Sequence, residues 1–323
     1  MIAEIGLNHN GDIDLARRIA DSAFESGANA AKFQIFSPDH FISGSVMLSA
    51  GSSLKDFFSQ FVLGEKEWIL LSDHVGSLGM DFFCSVFDDV SLEFYLQNLN
   101  PSLVKTASGD MNNRILIEKA SRSGIPFILS TGTADQDEVD KALQWVPGDV
   151  QLILMHCVSS YPAKIQDYNL NVLSGWREKY SYPLGLSDHT ESDTVSIAAV
   201  ALGACVIEKH FTLDKNMPGP DQKLSLNPAE FSGLVRSCRD AFDSLGDGRK
   251  KCSESELPAR NGGRRSLHAS QPVSQGEEFS ENNIIPLRPA GGVDADKFYD
   301  FPGRMADRNY EKGDRLLDAF LKT

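Results

Sequence analysis

The segment IAEIGLNHNGDIDLARRIADSAFESGANAAKFQIF, residues 2–36, decides how the rest of the chain is read. Ile2 to Gly6 is a short apolar strand, and Asn8-His9-Asn10-Gly11 is a polar loop. From Asp12 to Ser26, Leu15, Ile19 and Ala23, with Ala16, Ala20 and Phe24 beside them, form one apolar helical stripe, and Gly27 stops it. Ala30 to Phe36 is a second strand, so residues 2–36 make a βαβ unit.

The pattern repeats. After a Ser/Gly-rich loop from Ser43 to Ser53, strands are predicted at 80–85, 102–106, 126–130, 151–157, 183–186 and 204–210. Helices are predicted at 65–78, 90–96, 113–123, 135–144, 170–179, 194–202 and 228–245. Eight strands, each followed by a helix, in about 245 residues give an α/β chain of the (β/α)8 TIM-barrel class, whose active sites lie at the C-terminal strand ends. A doubly wound open sheet is the alternative, and no Gly-rich dinucleotide fingerprint supports it. Beyond Leu245 the character changes. GDGRKKCSESELPARNGG, residues 246–263, reads as a linker, and short β-like and turn segments follow. The expected division is a barrel over 1–247, a linker over 248–262 and a small, mostly β domain over 263–323.

Hydrophobic residues at 41% and charged residues at 24% are ordinary for a globular protein, and no apolar run reaches the ~18 residues of a membrane span. Without a leader-like N-terminus, the cytoplasm is the expected location. A formal charge of −14 argues against nucleic acid or an anionic membrane as partner, so an anionic ligand needs local lysines and backbone donors. Five cysteines without paired CxxC spacing support neither a disulfide framework nor a zinc cluster. Cys84, Cys157 and Cys205, in strand-like runs, are expected as small core residues.

Polar residues within or just after the strands mark a site. Glu4, Lys32 and Gln34, Lys105 and Ser108, Ser130 and Thr131, His156 and Tyr161, Ser187 to His189, and Glu208 with His210 come from seven of the eight strands. Unpaired, such residues would be costly inside a barrel, and a ligand site explains the set better than interior ion pairs. GLSDHT at 185–190 and VIEKHF at 206–211 each end a strand in a histidine, and Glu208 shares a strand face with His210. The expectation is a divalent metal held by His189 and His210.

With these residues in place, the chain resembles the sialic acid (N-acetylneuraminate) synthases and their nonulosonate relatives, a TIM barrel followed by an antifreeze-like (SAF) domain. The resemblance spans nearly the whole chain, through AEIGLNHNG at 3–11, AKFQ at 31–34, KTASGD at 105–110, LSTG at 129–132, GLSDHT, EKHF at 208–211, GPD at 219–221 and LRP at 287–289. It implies a transferase of carbohydrate biosynthesis that condenses phosphoenolpyruvate with an N-acyl hexosamine to a nine-carbon 2-keto sugar acid and phosphate. N-acetylmannosamine is the first acceptor, with a diacetamido hexose leading to legionaminic or pseudaminic acid as the alternative. It also implies manganese at His189 and His210, with magnesium or cobalt as substitutes. Lys32, Lys105, Ser108, Ser130 and Ser187 match phosphoenolpyruvate contacts. Gln34, Asp110, Tyr161, Asp221 and Arg288 match positions on the sugar side, and Arg288 implies a domain-swapped homodimer. Glu4 and Glu208 are candidates for acid/base work or for orienting substrate.

Three departures bear on the acceptor: Asp110 stands where many relatives have glutamate, Cys84-Ser85-Val86-Phe87 replaces a strand end that often reads Thr-Pro, and Ser159 replaces a common asparagine. The chain also starts directly on its first strand, without the leading hairpin usual in relatives, so either a more open barrel floor or a truncated start is expected. A different phosphoenolpyruvate-dependent or aldolase-type barrel and a non-catalytic sugar-binding barrel are the competing readings.

Overall fold

The computed structural model describes residues 1–44, 46–48 and 53–317, so part of the Ser43–Ser53 loop and the last six residues lie outside the described residues. Eight parallel strands close into a barrel in sequence order: β1 (Ile2–Gly6), β2 (Ala30–Ile35), β3 (Asp81–Val86), β4 (Val104–Thr106), β5 (Phe127–Ser130), β6 (Leu152–Cys157), β7 (Leu184–Asp188) and β8 (Val206–His210). The helices are α1 (Ile13–Glu25), α2 (Pro38–Phe41), α3 (Leu54–Ser59), α4 (Glu65–Ser77), α5 (Asp89–Asn98), α6 (Arg114–Ser121), α7 (Gln136–Leu143), α8 (Asn171–Lys179), α9 (Thr194–Ala201) and α10 (Pro228–Leu245), and a further short helix, α11, spans Leu257–Gly263. The predicted TIM barrel is therefore the fold, and α2 and α3 are short helices that the sequence pattern did not disclose.

Helix α1 shows how the local signals work. Asp12 caps it by accepting from the backbone N–H groups of Asp14 and Leu15, and Gly27 at φ +89° ends it. Leu15, Ala16, Ile19, Ala20 and Ala23 are buried as expected, but Phe24 is 46% exposed and does not belong to the stripe.

Successive strand residues face alternately into the barrel and out to the helices. The lower interior is apolar, built by Ile2, Ala30, Phe83, Ile128 and Met155 with Leu103, Ile153 and Val206 beside them. The outward residues join the helices in the main core, for example Phe33, Cys84, Leu129, Leu154, Leu186 and Ile207. Of the three strand-run cysteines, Cys84 and Cys157 are buried, whereas Cys205 is exposed, because it precedes β8 rather than lying within it.

The chain divides into two compact units, Met1–Gly246 and Asp247–Thr323. The second unit pairs β9 (Ser266–Ala269) antiparallel with β10 (Ile284–Leu287). Leu267, Val273, Phe279, Ile284, Phe301, Tyr310 and Leu316 are among the residues of its own core. The segment expected as linker is not wholly irregular, since it holds a 3-10 turn at Glu254–Glu256 and most of α11.

Candidate active site

Strand register brings the inward polar residues together one layer above the apolar floor. Glu4 of β1 lies between Lys32 of β2 and His210 of β8, Ser85 of β3 lies beside Gln34 and Lys105, and Ser187 of β7 lies beside Glu208. The result is a ring of buried charges. Lys32 Nζ is 2.6 Å from Glu4 Oε2 and 3.6 Å from Glu208 Oε1. Lys105 Nζ donates to both Glu208 oxygens at 2.7 Å, and Ser187 Oγ donates to Glu208 Oε1 at 3.0 Å. Lys32 also donates to Ser85 Oγ at 3.1 Å, and Gln34 Nε2 donates to Glu4 Oε1 at 2.8 Å.

These contacts set the charge states. Burial opposes the Lys32 ammonium, but Glu208 and Glu4 outweigh it and raise its pKa above the ordinary lysine value. Burial wins at Lys105, whose pKa is lowered despite Glu208, with Lys32 adding repulsion. Burial also opposes the Glu208 carboxylate, yet Lys105 and Lys32 hold it below the usual carboxylate range. Two ammoniums and two carboxylates are thus held where each compensates another.

Above this ring lies a cavity of about 280 Å³. On one side Ser108 Oγ donates to Ser130 Oγ at 3.1 Å and accepts from the Gly132 N–H at 3.0 Å. A Cβ at Gly132 would stand 2.7 Å from Ser108 Oγ and closer still to Ser159 Oγ, so only glycine permits this approach. Ser159 Oγ is buried without a hydrogen-bond partner among the described residues. Hydroxyls, a backbone N–H and two ammoniums converge here, which is the donor set a phosphate or carboxylate needs.

On the other side stand the two histidines, with ring centroids 5.4 Å apart. Tyr161, carried by the loop after β6, lies over His189 at 4.3 Å. His189 Nδ1 contacts the Val158 carbonyl oxygen at 2.7 Å, which makes Nδ1 the donor and leaves the Nε2 lone pair available. Among the described residues, His210 Nδ1 is buried with no hydrogen-bond partner, and burial, followed by His189 and Lys32, keeps the ring neutral. A neutral His210 beside a His189 whose tautomer the backbone fixes fits a divalent cation. Burial disfavours the His189 proton, while Cys157 and the Val158 carbonyl favour it and raise the pKa, so a metal would compete with that proton. Among the described residues no group of three or more His, Cys, Asp or Glu is arranged to hold a metal ion, which leaves His189 and His210 as the pair that would hold one.

Most of the residues singled out by sequence meet at this cavity: Glu4, Lys32, Gln34, Lys105, Ser108, Ser130, Tyr161, Ser187, His189, Glu208 and His210. Asp221 stands at its edge, with Oδ2 3.9 Å from His210 Nδ1. Burial, with Glu4 adding repulsion, raises the Asp221 pKa to about 6. Asp110 does not line the cavity; it accepts from Asn113 Nδ2 at 3.2 Å. Arg288 is exposed on the second unit.

Three residues grouped with the site, His156, Thr131 and Asp188, face the wrong way. His156 Nε2 donates to the Tyr168 carbonyl at 2.6 Å, and Thr131 Oγ1 donates to the Met155 carbonyl at 2.9 Å. Asp188 pairs with Lys209 at 3.0 Å and accepts from Ser196 Oγ at 2.6 Å beneath α9. Ser85 and Phe87 also line the cavity and give β3 its share, in the stretch 84–87 that the sequence reading had named only as a departure bearing on the acceptor. Their spacings of two and four from Phe83 were the available signal.

The loop Asn8–Gly11 stitches the first strand end to the last. Asn8 Nδ2 donates to the Phe211 carbonyl and Ser225 Oγ, Gln222 Nε2 donates to the Asn8 carbonyl, and Asn10 Nδ2 donates to the Pro218 carbonyl. This fastening fixes the loop that carries Asp221. At Gly6, φ +52°, a Cβ would lie 3.1 Å from Glu4 Oε1, 3.2 Å from Gln34 Nε2 and 3.5 Å from Asp221 Oδ2. The absent side chain lets those three groups gather.

Comparison with known proteins gives a consistent answer. Residues 19–250 match the model of the NeuB family. An N,N'-diacetyllegionaminic acid synthase from Legionella pneumophila is 37% identical over 98% of this chain and 93% of its own length. One from Campylobacter jejuni is 37% identical over 98% of both. The crystal structure of an N-acetylneuraminic acid (sialic acid) synthetase from Leptospira borgpetersenii superimposes with a TM-score of 0.72 at 35% identity, covering 80% of this chain and 88% of that one.

Proposed function

We propose, from the premise that this chain belongs to the NeuB family, that it condenses phosphoenolpyruvate with an N-acyl hexosamine to give a nine-carbon 2-keto sugar acid and phosphate. The observation that carries the reading is the buried ring of Lys32, Lys105, Glu4 and Glu208 beneath a cradle of serine hydroxyls. The ring is neutral as a set, so its ammoniums can turn toward an anionic substrate while its carboxylates remain for proton and orientation work.

In this reading Lys32, Lys105, Ser108, Ser130, Ser187 and the Gly132 N–H hold the phosphate and carboxylate of phosphoenolpyruvate. Gln34, Tyr161 and Asp221 hold the sugar, whose aldehyde carbon is placed against the phosphoenolpyruvate methylene. The methylene carbon forms the new bond, water adds at the resulting cationic carbon, and the tetrahedral intermediate expels phosphate by carbon–oxygen cleavage. Glu208, held ionised by the lysines, faces the developing positive charge. Glu4, bound by Lys32 and Gln34, is placed to orient the attacking water. His189 and His210 would hold a divalent cation, manganese first, which when bound polarises the aldehyde oxygen and offsets negative charge. The proposal includes a homodimer in which Arg288 serves the sugar; Arg288→Ala then raises the KM for sugar and leaves that for phosphoenolpyruvate unchanged.

The test is mass-spectrometric detection of a nine-carbon keto acid together with released phosphate, with manganese or a chelator. One phosphate per keto acid, only when both substrates are supplied, is the expected result. Phosphate release without sugar, or cleavage of the sugar alone, would refute it.

A further inference from the structure

We propose that the buried Asp188–Lys209 ion pair is a positioning clamp that sets the separation and orientation of the His189 and His210 rings, and through them the affinity for a divalent cation; the inference rests on the metal reading above. Asp188 and Lys209 are register partners on the neighbouring strands β7 and β8, and each immediately precedes one of the two histidines. Their side chains turn toward α9 while the histidines line the cavity, so the pair acts through its neighbours.

His189 lies beyond the last residue of β7, where the strand ladder no longer holds it. Lys209 Nζ lies 3.0 Å from Asp188 Oδ2 and donates to the Thr190 carbonyl at 2.6 Å and to the Ser192 carbonyl at 3.0 Å. All three ammonium protons therefore have acceptors, and two of those acceptors belong to the turn that follows His189. Asp188 closes the other side: Oδ1 accepts from the Thr190 N–H at 2.8 Å, and Oδ2 accepts from Ser196 Oγ at 2.6 Å. On the β6 side, the His189 N–H donates to the Tyr168 hydroxyl and Nδ1 to the Val158 carbonyl, both at 2.7 Å. Lys209 supplies the β8 side, the side from which His210 comes. With side chains 0% and 1% exposed, the pair is a poor device for stability alone, since apolar residues of similar volume serve as well or better. What it supplies is register: the backbone that carries one histidine is fastened to the strand that carries the other.

The experiment titrates manganese into the full chain and counts free Mn2+ by electron paramagnetic resonance. Wild type is compared with Lys209→Met, with the double variant Asp188→Asn/Lys209→Met, and with Ile128→Ala as a destabilised control on the barrel floor. Circular dichroism and thermal melting verify that each is folded. The double variant leaves no member of the pair charged and alone, and it keeps the net charge. The manganese dissociation constant is expected to rise about 10- to 100-fold in both Lys209 variants and to stay within about threefold of wild type in Ile128→Ala. Loss of a nearby ammonium would by itself tighten cation binding, so the expected sign for Lys209→Met is opposite to a Coulombic effect. Unchanged affinity in the folded double variant, tighter binding by Lys209→Met, or an equal loss in Ile128→Ala would overturn the inference. If wild type binds no manganese, or binds it as well after His189→Ala, the metal reading falls and the clamp is judged without metal. In nitrogen-15 histidine-labelled protein, at a pH where both rings are neutral, His189 is then expected as the Nδ1–H tautomer in wild type and as a mixture in the double variant. A single tautomer in both would overturn the clamp.

Discussion

Two rings of side chains lie one above the other inside the barrel, two residues apart along the strands that supply both. Ile2, Ala30, Phe83, Ile128 and Val206 belong to the lower ring; Glu4, Lys32, Ser85, Ser130 and Glu208 belong to the upper. The strands, the parity and the burial are shared, but the forces differ. The lower ring is stabilised by removal of apolar surface from water, a non-directional contribution that tolerates substitutions of similar volume. The upper ring places charges where water would otherwise solvate them, and it is tolerable only because each partner is within ion-pair reach. A closed barrel can carry the second kind of layer because the first kind, with the helices outside, supplies the stability.

The largest effect should come from breaking the upper ring. Glu208→Ala leaves the Lys105 ammonium buried without its bidentate partner, and a loss of about 3–5 kcal/mol in urea unfolding is expected together with loss of turnover. Ile128→Ala, in the lower ring, should cost about 2–5 kcal/mol in the same unfolding experiment while kcat stays within a few-fold of wild type. Equal losses of kcat in the two variants would erase the distinction between the rings.

Two titratable groups outside the rings sharpen the comparison. His9 is buried against Phe33 and Trp68, its Nδ1 accepts from the Gly11 N–H, and its Nε2 lacks a partner among the described residues. Burial, only partly offset by Asp12, lowers its pKa from 6.5 to about 4, so the folded state binds this proton less readily than the unfolded chain. Stability is therefore lost as pH falls from about 6.5 to about 4, by up to about 3 kcal/mol, and His9→Gln should remove that part of the acid limb in melts across this range.

Asp110 has the opposite sign. Burial, with Asp88 adding repulsion and the Asn113 hydrogen bond opposing, raises its pKa from 3.8 to about 6, so the folded state favours the protonated acid. The resulting penalty is absent below about pH 4 and complete above about pH 6; Asp110→Asn should stabilise the protein by about 1–2 kcal/mol at pH 7.5 and by little at pH 4.

The fold was legible because each of its eight strands announced itself as a short apolar run between helical stripes. The charged half of the site was legible because lysine and glutamate inside strand runs need a reason. Strand direction was harder to read. His156 and Asp188 look like site residues in a one-dimensional pattern, yet the register turns them outward, where Tyr168, Lys209 and Ser196 satisfy them. Ser85 and Phe87 stood out only as part of the departure at 84–87 and not by residue type: a serine and a phenylalanine are unremarked in a strand, and parity with Phe83 places them inside. The fastening of Asn8 to Phe211 and Ser225 joins residues over two hundred positions apart, which no local pattern reveals.

The most direct measurement is phosphate release from phosphoenolpyruvate, with an N-acyl hexosamine present, by folded Lys105→Met. The substitution keeps the length of the side chain and removes one ammonium from the upper ring, leaving Glu208 within 3.6 Å of Lys32. A fall in kcat/KM of about 10²–10³-fold, in a protein whose circular dichroism is unchanged, is expected for loss of a preorganised charge at the reacting groups. Turnover within a few-fold of wild type would contradict the assignment of the upper ring as the site of the reaction.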